Sequence, residues 1–191
     1  MQKLYSKGYA KEVSAGKLSH ILSERHTNIY IKEVESISKS KLYEYLLELY
    51  EISELEHDKT FVDKEKLKNL DGKSIHRLLG YENMNTTRCR PYEFYGKTYN
   101  IIGSPDKFYE DYSIVEELKT YKNSKNKIYQ MVRGLFQLVL YSYIYDVTEG
   151  RLIILDLNRG IKEMFHFKFP SYSQYKTLND GLSLYSAYSK V

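Results

Sequence analysis

Asp106 closes a short apolar run that begins at Asn100 (NIIGSPD). Eleven residues further on, Glu117 and Lys119 occupy alternate positions of a strand-like segment, Ser113–Thr120. Side chains alternate in direction along a strand, so these two face the same way, roughly 7 Å apart. Two carboxylates and an ammonium group gathered on one side of a small sheet have the chemistry to hold a divalent cation and a water.

Such a site needs elements to position it. Gly72-Lys73-Ser74-Ile75-His76 places a histidine one turn into a helix that the spacing of Ile75, Leu78 and Leu79 extends over Lys73–Met84. Gly103-Ser104-Pro105-Asp106 puts a carboxylate at a strand end. Asn126–Tyr145 is the longest and most apolar helical segment, and within it Gln137 and Tyr141 lie four residues apart on one face. Upstream, Met1–Asn28 has helical composition, Ile29–Val34 is strand-like, and Ser38 or Ser40 caps a helix running through Leu42, Tyr45, Leu46, Leu49 and Ile52. Lys64–Leu70 is a polar helical turn that ends at Asp71-Gly72. Arg88–Tyr95 and Thr98–Ser104 flank Gly96-Lys97 as a hairpin, and Asn158-Arg159-Gly160 joins strands Arg151–Leu157 and Ile161–Phe169. Gln174–Lys190 closes the chain as a Tyr-rich helix. The order of elements predicts an α/β fold, a mixed β-sheet flanked by helices, with an N-terminal helical region. One domain is expected over 1–191: a mainly helical part (1–70), a core (71–170) and a C-terminal helix (171–191).

Four pieces in order, Gly72…His76, Gly103…Asp106, Glu117-Leu118-Lys119-Thr120 and Gln137…Tyr141, resemble the PD-(D/E)XK nuclease superfamily, in particular its RecB-like exonuclease branch. That branch includes the CRISPR-associated adaptation nucleases and the nuclease domains of recombination helicases. The resemblance spans Ser36 to Phe169 and implies a restriction-endonuclease-like core. Ser38-Lys39-Ser40-Lys41-Leu42 resembles the helix start that precedes the first cluster cysteine of iron–sulfur members, with Glu48 at that cysteine's position. Only one cysteine, Cys89, is present, so the chain is similar to cluster-free members such as those encoded by archaeal viruses.

The resemblance implies a metal-dependent nuclease acting on DNA, with single strands or ends favoured. Asp106 and Glu117 would bind Mg²⁺ or Mn²⁺, with the Leu118 carbonyl and His76 as further ligands. Lys119 would orient or deprotonate the attacking water, and Gln137 and Tyr141 would position the site. The basic run Lys122, Lys125, Lys127 and Arg133 would contact backbone phosphates. The alternatives are an inactive nucleic-acid-binding scaffold on the same fold and a junction-resolving or RNA-processing nuclease. Glu116 and Glu82 read as surface acids, Glu82 also as a group behind the ligands, and Asp156 as a structural partner.

The bulk composition agrees without deciding. The net charge of +4 permits a polyanionic partner and does not demand one. A single cysteine excludes an internal disulfide, a cysteine zinc finger and a Cys-ligated iron–sulfur cluster, and reads as a small packed hydrophobe. Most of the 21 tyrosines are expected in the core or at interfaces. H-E-x-x-H, Walker A, G-x-G-x-x-G and G-x-S-x-G patterns are all missing. The charged N-terminal stretch lacks the apolar segment of a secretory leader. Met131–Tyr145 is too short and too polar for a bilayer span. No membrane partner and an intracellular, cytoplasmic location are therefore expected (host-cell cytoplasm for a viral member), with room for a homo-oligomer.

Overall fold

A computed structural model describes residues 10–33, 39–68, 70–81 and 87–188. The chain runs β1 (Lys11–Ser14), α1 (Ala15–Glu33), α2 (Lys39–Leu49) and β2 (Ser53–Phe61), then a 3₁₀ turn at Lys64–Leu67. It continues with α3 (Gly72–Leu78), β3 (Arg88–Phe94), β4 (Lys97–Gly103) and β5 (Lys107–Tyr109). A second 3₁₀ turn, Glu110–Tyr112, leads to β6 (Ile114–Tyr121), α4 (Ser124–Tyr145), β7 (Glu149–Asp156), β8 (Ile161–Lys168) and α5 (Ser171–Tyr188). The fold is mixed α/β, with two mixed sheets flanked by helices. Three strands form one sheet in the order β1-β4-β3, and five form the other in the order β2-β8-β7-β6-β5.

α4 is the element around which the rest packs. Val132, Leu135, Phe136, Leu138, Val139 and Leu140 have no exposed surface, so the C-terminal part of the helix is enclosed almost all round. It is also the crossover that parallel strands require, since β6 and β7 pair in parallel from Ile114↔Glu149 to Tyr121↔Asp156. One large core joins α4 to α1, α2, α5 and the near faces of both sheets. A smaller core on the opposite face of the five-stranded sheet packs Leu67 and Ile75 against Leu118, Ile153 and Leu155. Asp156 is structural as expected: its carboxylate accepts from the Asn158 and Arg159 N–H groups and from Arg159 Nε at 2.6 Å, fixing the β7–β8 turn. No helix among the described residues is long and apolar enough to cross a membrane.

Several local expectations are corrected. Ile29–Glu33 is helical rather than a strand (Val34 lies outside the described residues), because extending a helix already nucleated upstream is easier than starting a short strand. The helical N-terminal region is interrupted at Lys11–Ser14, where Val13 is buried and β1 pairs in parallel with β4. Ser38 lies outside the described residues. β2 was not anticipated: all nine of its residues are exposed, so it carries no apolar alternation. The helix expected over Lys73–Met84 stops at Leu78, because Gly80 adopts a left-handed φ of 75°. Residues 82–86, Glu82 among them, lie outside the description. The β3–β4 turn is one residue earlier than expected, at Tyr95-Gly96, both with positive φ as a two-residue hairpin loop requires. Cys89 is exposed on β3 and is not a packed hydrophobe.

Gly134 lets α4 lie close to the sheet. A Cβ there would overlap Leu152 Cδ1 and come within 3.2 Å of Lys119 Cγ. Overpacking costs about 1–3 kcal/mol, against about 1 kcal/mol gained from replacing glycine in a helix. Leu152 is fully buried, so a shift of its side chain must displace packed neighbours. Gly134→Ala is therefore expected to lower stability in denaturant unfolding, by about 1 kcal/mol net; unchanged or raised stability would show that α4 does not sit this close.

Candidate metal and phosphodiester site

Asp106 stands where the chain leaves the small sheet for the large one. β4 ends at Gly103, and after Ser104-Pro105 the chain enters β5, whose ladder with β6 begins at Lys107↔Glu116. Beyond that pair β6 has no backbone partner from β5, and Asp106 Oδ2 instead accepts the Leu118 N–H at 2.8 Å. The N–H and C=O of a strand residue point to the same edge, so the Leu118 carbonyl also faces this open side. Gly103 is explained by contact: a Cβ there would lie 2.7 Å from Tyr141 Cε1 and 3.1 Å from Ile144 Cδ1. Gly72 has no such neighbour and an ordinary φ, and its sequence position has no steric explanation.

His76 arrives from α3. The Asp71 side chain caps that helix by accepting the Ser74 N–H at 2.7 Å, which holds the Asp71 carboxyl below its usual range. Ile75 is buried in the small core, and the next residue along turns His76 toward Asp106, with Nδ1 3.3 Å from Oδ1. The hydrogen bond to Asp106 raises the imidazole pKa against the opposing effect of burial, with further support from the Asp106 and Glu117 charges.

Glu117 and Lys119 share the α4-facing side of β6, as strand alternation predicts. Lys119 Nζ donates to Glu117 Oε1 at 2.5 Å. Glu117 is 4% exposed, and burial pushes its carboxyl up although Lys119 pulls it down. Its Oε2 is buried without a hydrogen-bond partner, and so is Oε1 of Gln137. Gln137 Nε2 donates to the Tyr141 hydroxyl at 3.1 Å, and burial, then the Glu117 charge, keeps Tyr141 a neutral phenol well above its ordinary pKa.

The structure thus gathers His76, Asp106, Leu118, Glu117, Lys119, Gln137 and Tyr141 from α3, the β4–β5 step, β6 and α4. Among the described residues no three His, Cys, Asp or Glu side chains stand close enough together to hold a metal ion. The donor set nonetheless suits a hard cation of the Mg²⁺ type, which takes one or two carboxylates and keeps several waters. Two buried oxygens without donors are what such an ion satisfies. Asp106, Glu117 and the Leu118 carbonyl would hold it, with His76 as the nitrogen that favours Mn²⁺.

The basic run is dispersed. Lys122 is exposed just past the end of β6. Lys125 lies in the first turn of α4, its side chain outside the described residues. Lys127 is ion-paired with Glu163 of β8. Arg133 is half-buried, with Nε buried and unpartnered. A cleft of about 630 Å³ between α2, β2, α4 and β8 is lined by Tyr43, His57, Lys127 and Phe165 among others and contains none of the gathered residues. Its Lys127 and Glu163 neutralise one another.

Glu116, expected as a surface acid, is 5% exposed and accepts from the Tyr81 hydroxyl at 2.8 Å and the Tyr109 hydroxyl at 3.3 Å. The strand is covered on both faces, so an acid on either one is buried.

The His76–Asp106 pair has a pH consequence. A raised imidazole pKa means that the pair adds stability below the ordinary value of about 6.5, and this is lost as pH rises through the raised value. In metal-free protein the His76 ring protons, followed by NMR, are expected to titrate above that value, and Asp106→Asn is expected to bring the midpoint down. An unchanged midpoint in Asp106→Asn would remove the pair.

No protein-family model and no curated protein sequence matches the chain. Among solved structures, the crystal structure of SSO0001 is similar, with a TM-score of 0.50 and 18% sequence identity over 95% of this chain and 79% of that one. At this identity the likeness shows the fold alone, and it agrees with the mixed α/β architecture described above.

Proposed function

We propose that the chain is a metal-dependent nuclease that hydrolyses DNA phosphodiester bonds, with single strands or DNA ends as the favoured substrate. One observation carries the reading. A buried carboxylate, Glu117, keeps a free oxygen beside Lys119 and close to Asp106 and His76 at the open edge of a sheet. The four motif pieces that resemble the RecB-like branch are those that meet there, and this supports the substrate class.

A bound Mg²⁺ or Mn²⁺ supplies charge neutralisation at the non-bridging oxygens and acidifies a bound water. The chain's own groups do the rest. Asp106 and Glu117 present oxygens on one side of the scissile phosphate. Lys119, its stem held beneath Gly134 and its head by Glu117, orients the attacking water and donates to the phosphate as charge builds there. Gln137 and Tyr141 are positioning residues, since Tyr141 presses against Gly103 at the strand end that leads into Asp106.

The test is cleavage of labelled single- and double-stranded DNA with Mg²⁺ or Mn²⁺. The wild type is expected to cut and to stop in EDTA. Lys119→Ala is expected to slow cutting by about 10²- to 10⁴-fold while DNA binding persists. Wild-type protein that binds DNA and cuts with neither metal would make the chain a binding scaffold. Undiminished cutting by Lys119→Ala would place the chemistry elsewhere.

A further inference from the structure

On the far side of β6 from Glu117 and Lys119 lies a recess of about 210 Å³ whose lining includes Tyr81, Lys107, Tyr109, Glu116, Lys162 and Met164. It touches the candidate site through three elements. Lys107 follows Asp106 in sequence and Glu116 precedes Glu117. Tyr81 packs edge-on against His76 and donates its backbone N–H to the His76 carbonyl at 2.8 Å. The recess and the cluster thus lie on opposite faces of β6, and the recess runs from Lys107 beside Asp106 across to Lys162 and Met164 of β8.

Its chemistry is that of an anion seat. Neither Lys107 nor Lys162 has a carboxylate partner within ion-pair distance among the described residues, whereas His76 and Lys119 of the neighbouring cluster are each paired. Lys107 Nζ is instead held 4.3 Å from the centre of the Tyr81 ring, which fixes its position without neutralising it. The one acid in its lining, Glu116, is occupied at Oε1 by both phenols. Two cations against one acid leave the recess positive. Its volume decides the size of the guest: clefts for whole small molecules run from about 300 Å³ upward. The recess admits a phosphate group and not a nucleotide.

We propose that this recess is a phosphate subsite, in which Lys107 and Lys162 hold the phosphate next to the scissile one on a bound nucleic-acid strand. The inference rests on the nuclease reading for its neighbour but is measured without metal or cleavage. Lys107 reaches it from the residue after Asp106, so a strand whose scissile phosphate lies at Asp106 and Glu117 runs across the sheet edge into it. The occupant is either an internal phosphodiester or a terminal phosphate, and the two sources are separable.

The probe is a fluorescein-labelled single-stranded oligonucleotide, titrated by anisotropy in EDTA at several salt concentrations. Lys107→Gln and Lys162→Gln are each expected to weaken binding about three- to tenfold. The double variant is expected to lower the salt slope by about 0.7, the loss of one phosphate contact on a single strand. Lys59→Gln, on the exposed edge strand β2, is the control and is expected to bind as the wild type does. Paired oligonucleotides with and without a terminal phosphate assign the source: loss confined to the phosphorylated one names a chain end, and equal loss names an internal linkage. Variants that match the wild type in affinity and slope overturn the subsite and leave the nuclease reading standing. Wild-type protein that binds with the expected slope and cuts nothing overturns the nuclease reading and leaves the subsite. Wild-type protein that neither binds nor cuts overturns both.

Discussion

A carboxylate buried where a sheet loses its edge strand is the constraint on which this structure turns. Glu117 has 4% of its surface exposed, and an ionised group there costs several kcal/mol unless opposite charge and donors surround it. Lys119 answers part of that demand from two residues along the same strand. Asp106 intensifies it, since its own charge raises the Glu117 carboxyl further. The balance is left incomplete, with one Glu117 oxygen and the Gln137 oxygen buried and unmatched. A protein that only needed to be stable would fill this space with apolar side chains. The unmatched oxygens are the strongest physical reason to place a cation among them.

The glycines follow from the same demand. α4 closes over β6 and β7 to exclude water, and it can approach only because Gly134 has no side chain between Lys119 and Leu152. At the strand end, Gly103 gives the Tyr141 ring its place. Both glycines keep ordinary backbone angles, so their role is one of space and not of conformational freedom. The helix that makes the core is thereby also the roof of the site, and stability and chemistry are tied to one packing distance.

Much of this was legible in the sequence, for identifiable reasons. The long apolar run of α4, the Ser113–Thr120 strand and the β7–β8 hairpin carry strong periodicity or turn chemistry, and each lies within a few residues of its predicted place. Spacing told which side chains share a face, Glu117 with Lys119 and Gln137 with Tyr141, whereas His76 and Asp106 were joined to them through the resemblance. Three things were hidden. β2 has the composition of a solvated loop and becomes a strand only by pairing with β8. Glu116 sits in a strand covered on both faces, where alternation no longer sorts inside from outside. Lys127 had the look of a free cation because its partner, Glu163, is 36 residues away in the chain.

The two edges of the five-stranded sheet meet opposite demands. At β5 the ladder lasts three residues and then stops, which leaves backbone groups of β6 facing outward where a ligand can reach them. At β2 the exposed edge is nine residues long, the length at which sheets tend to recruit other sheets. Glu54, Glu56, Asp58 and Lys59 load it with charge, and a register break between Glu54 and Glu56 kinks it. A stray strand that came alongside would have to bury those charges and follow that kink. One margin of the sheet thus leaves strand backbone uncovered, while the other, though far longer, is guarded by charge and a break in register.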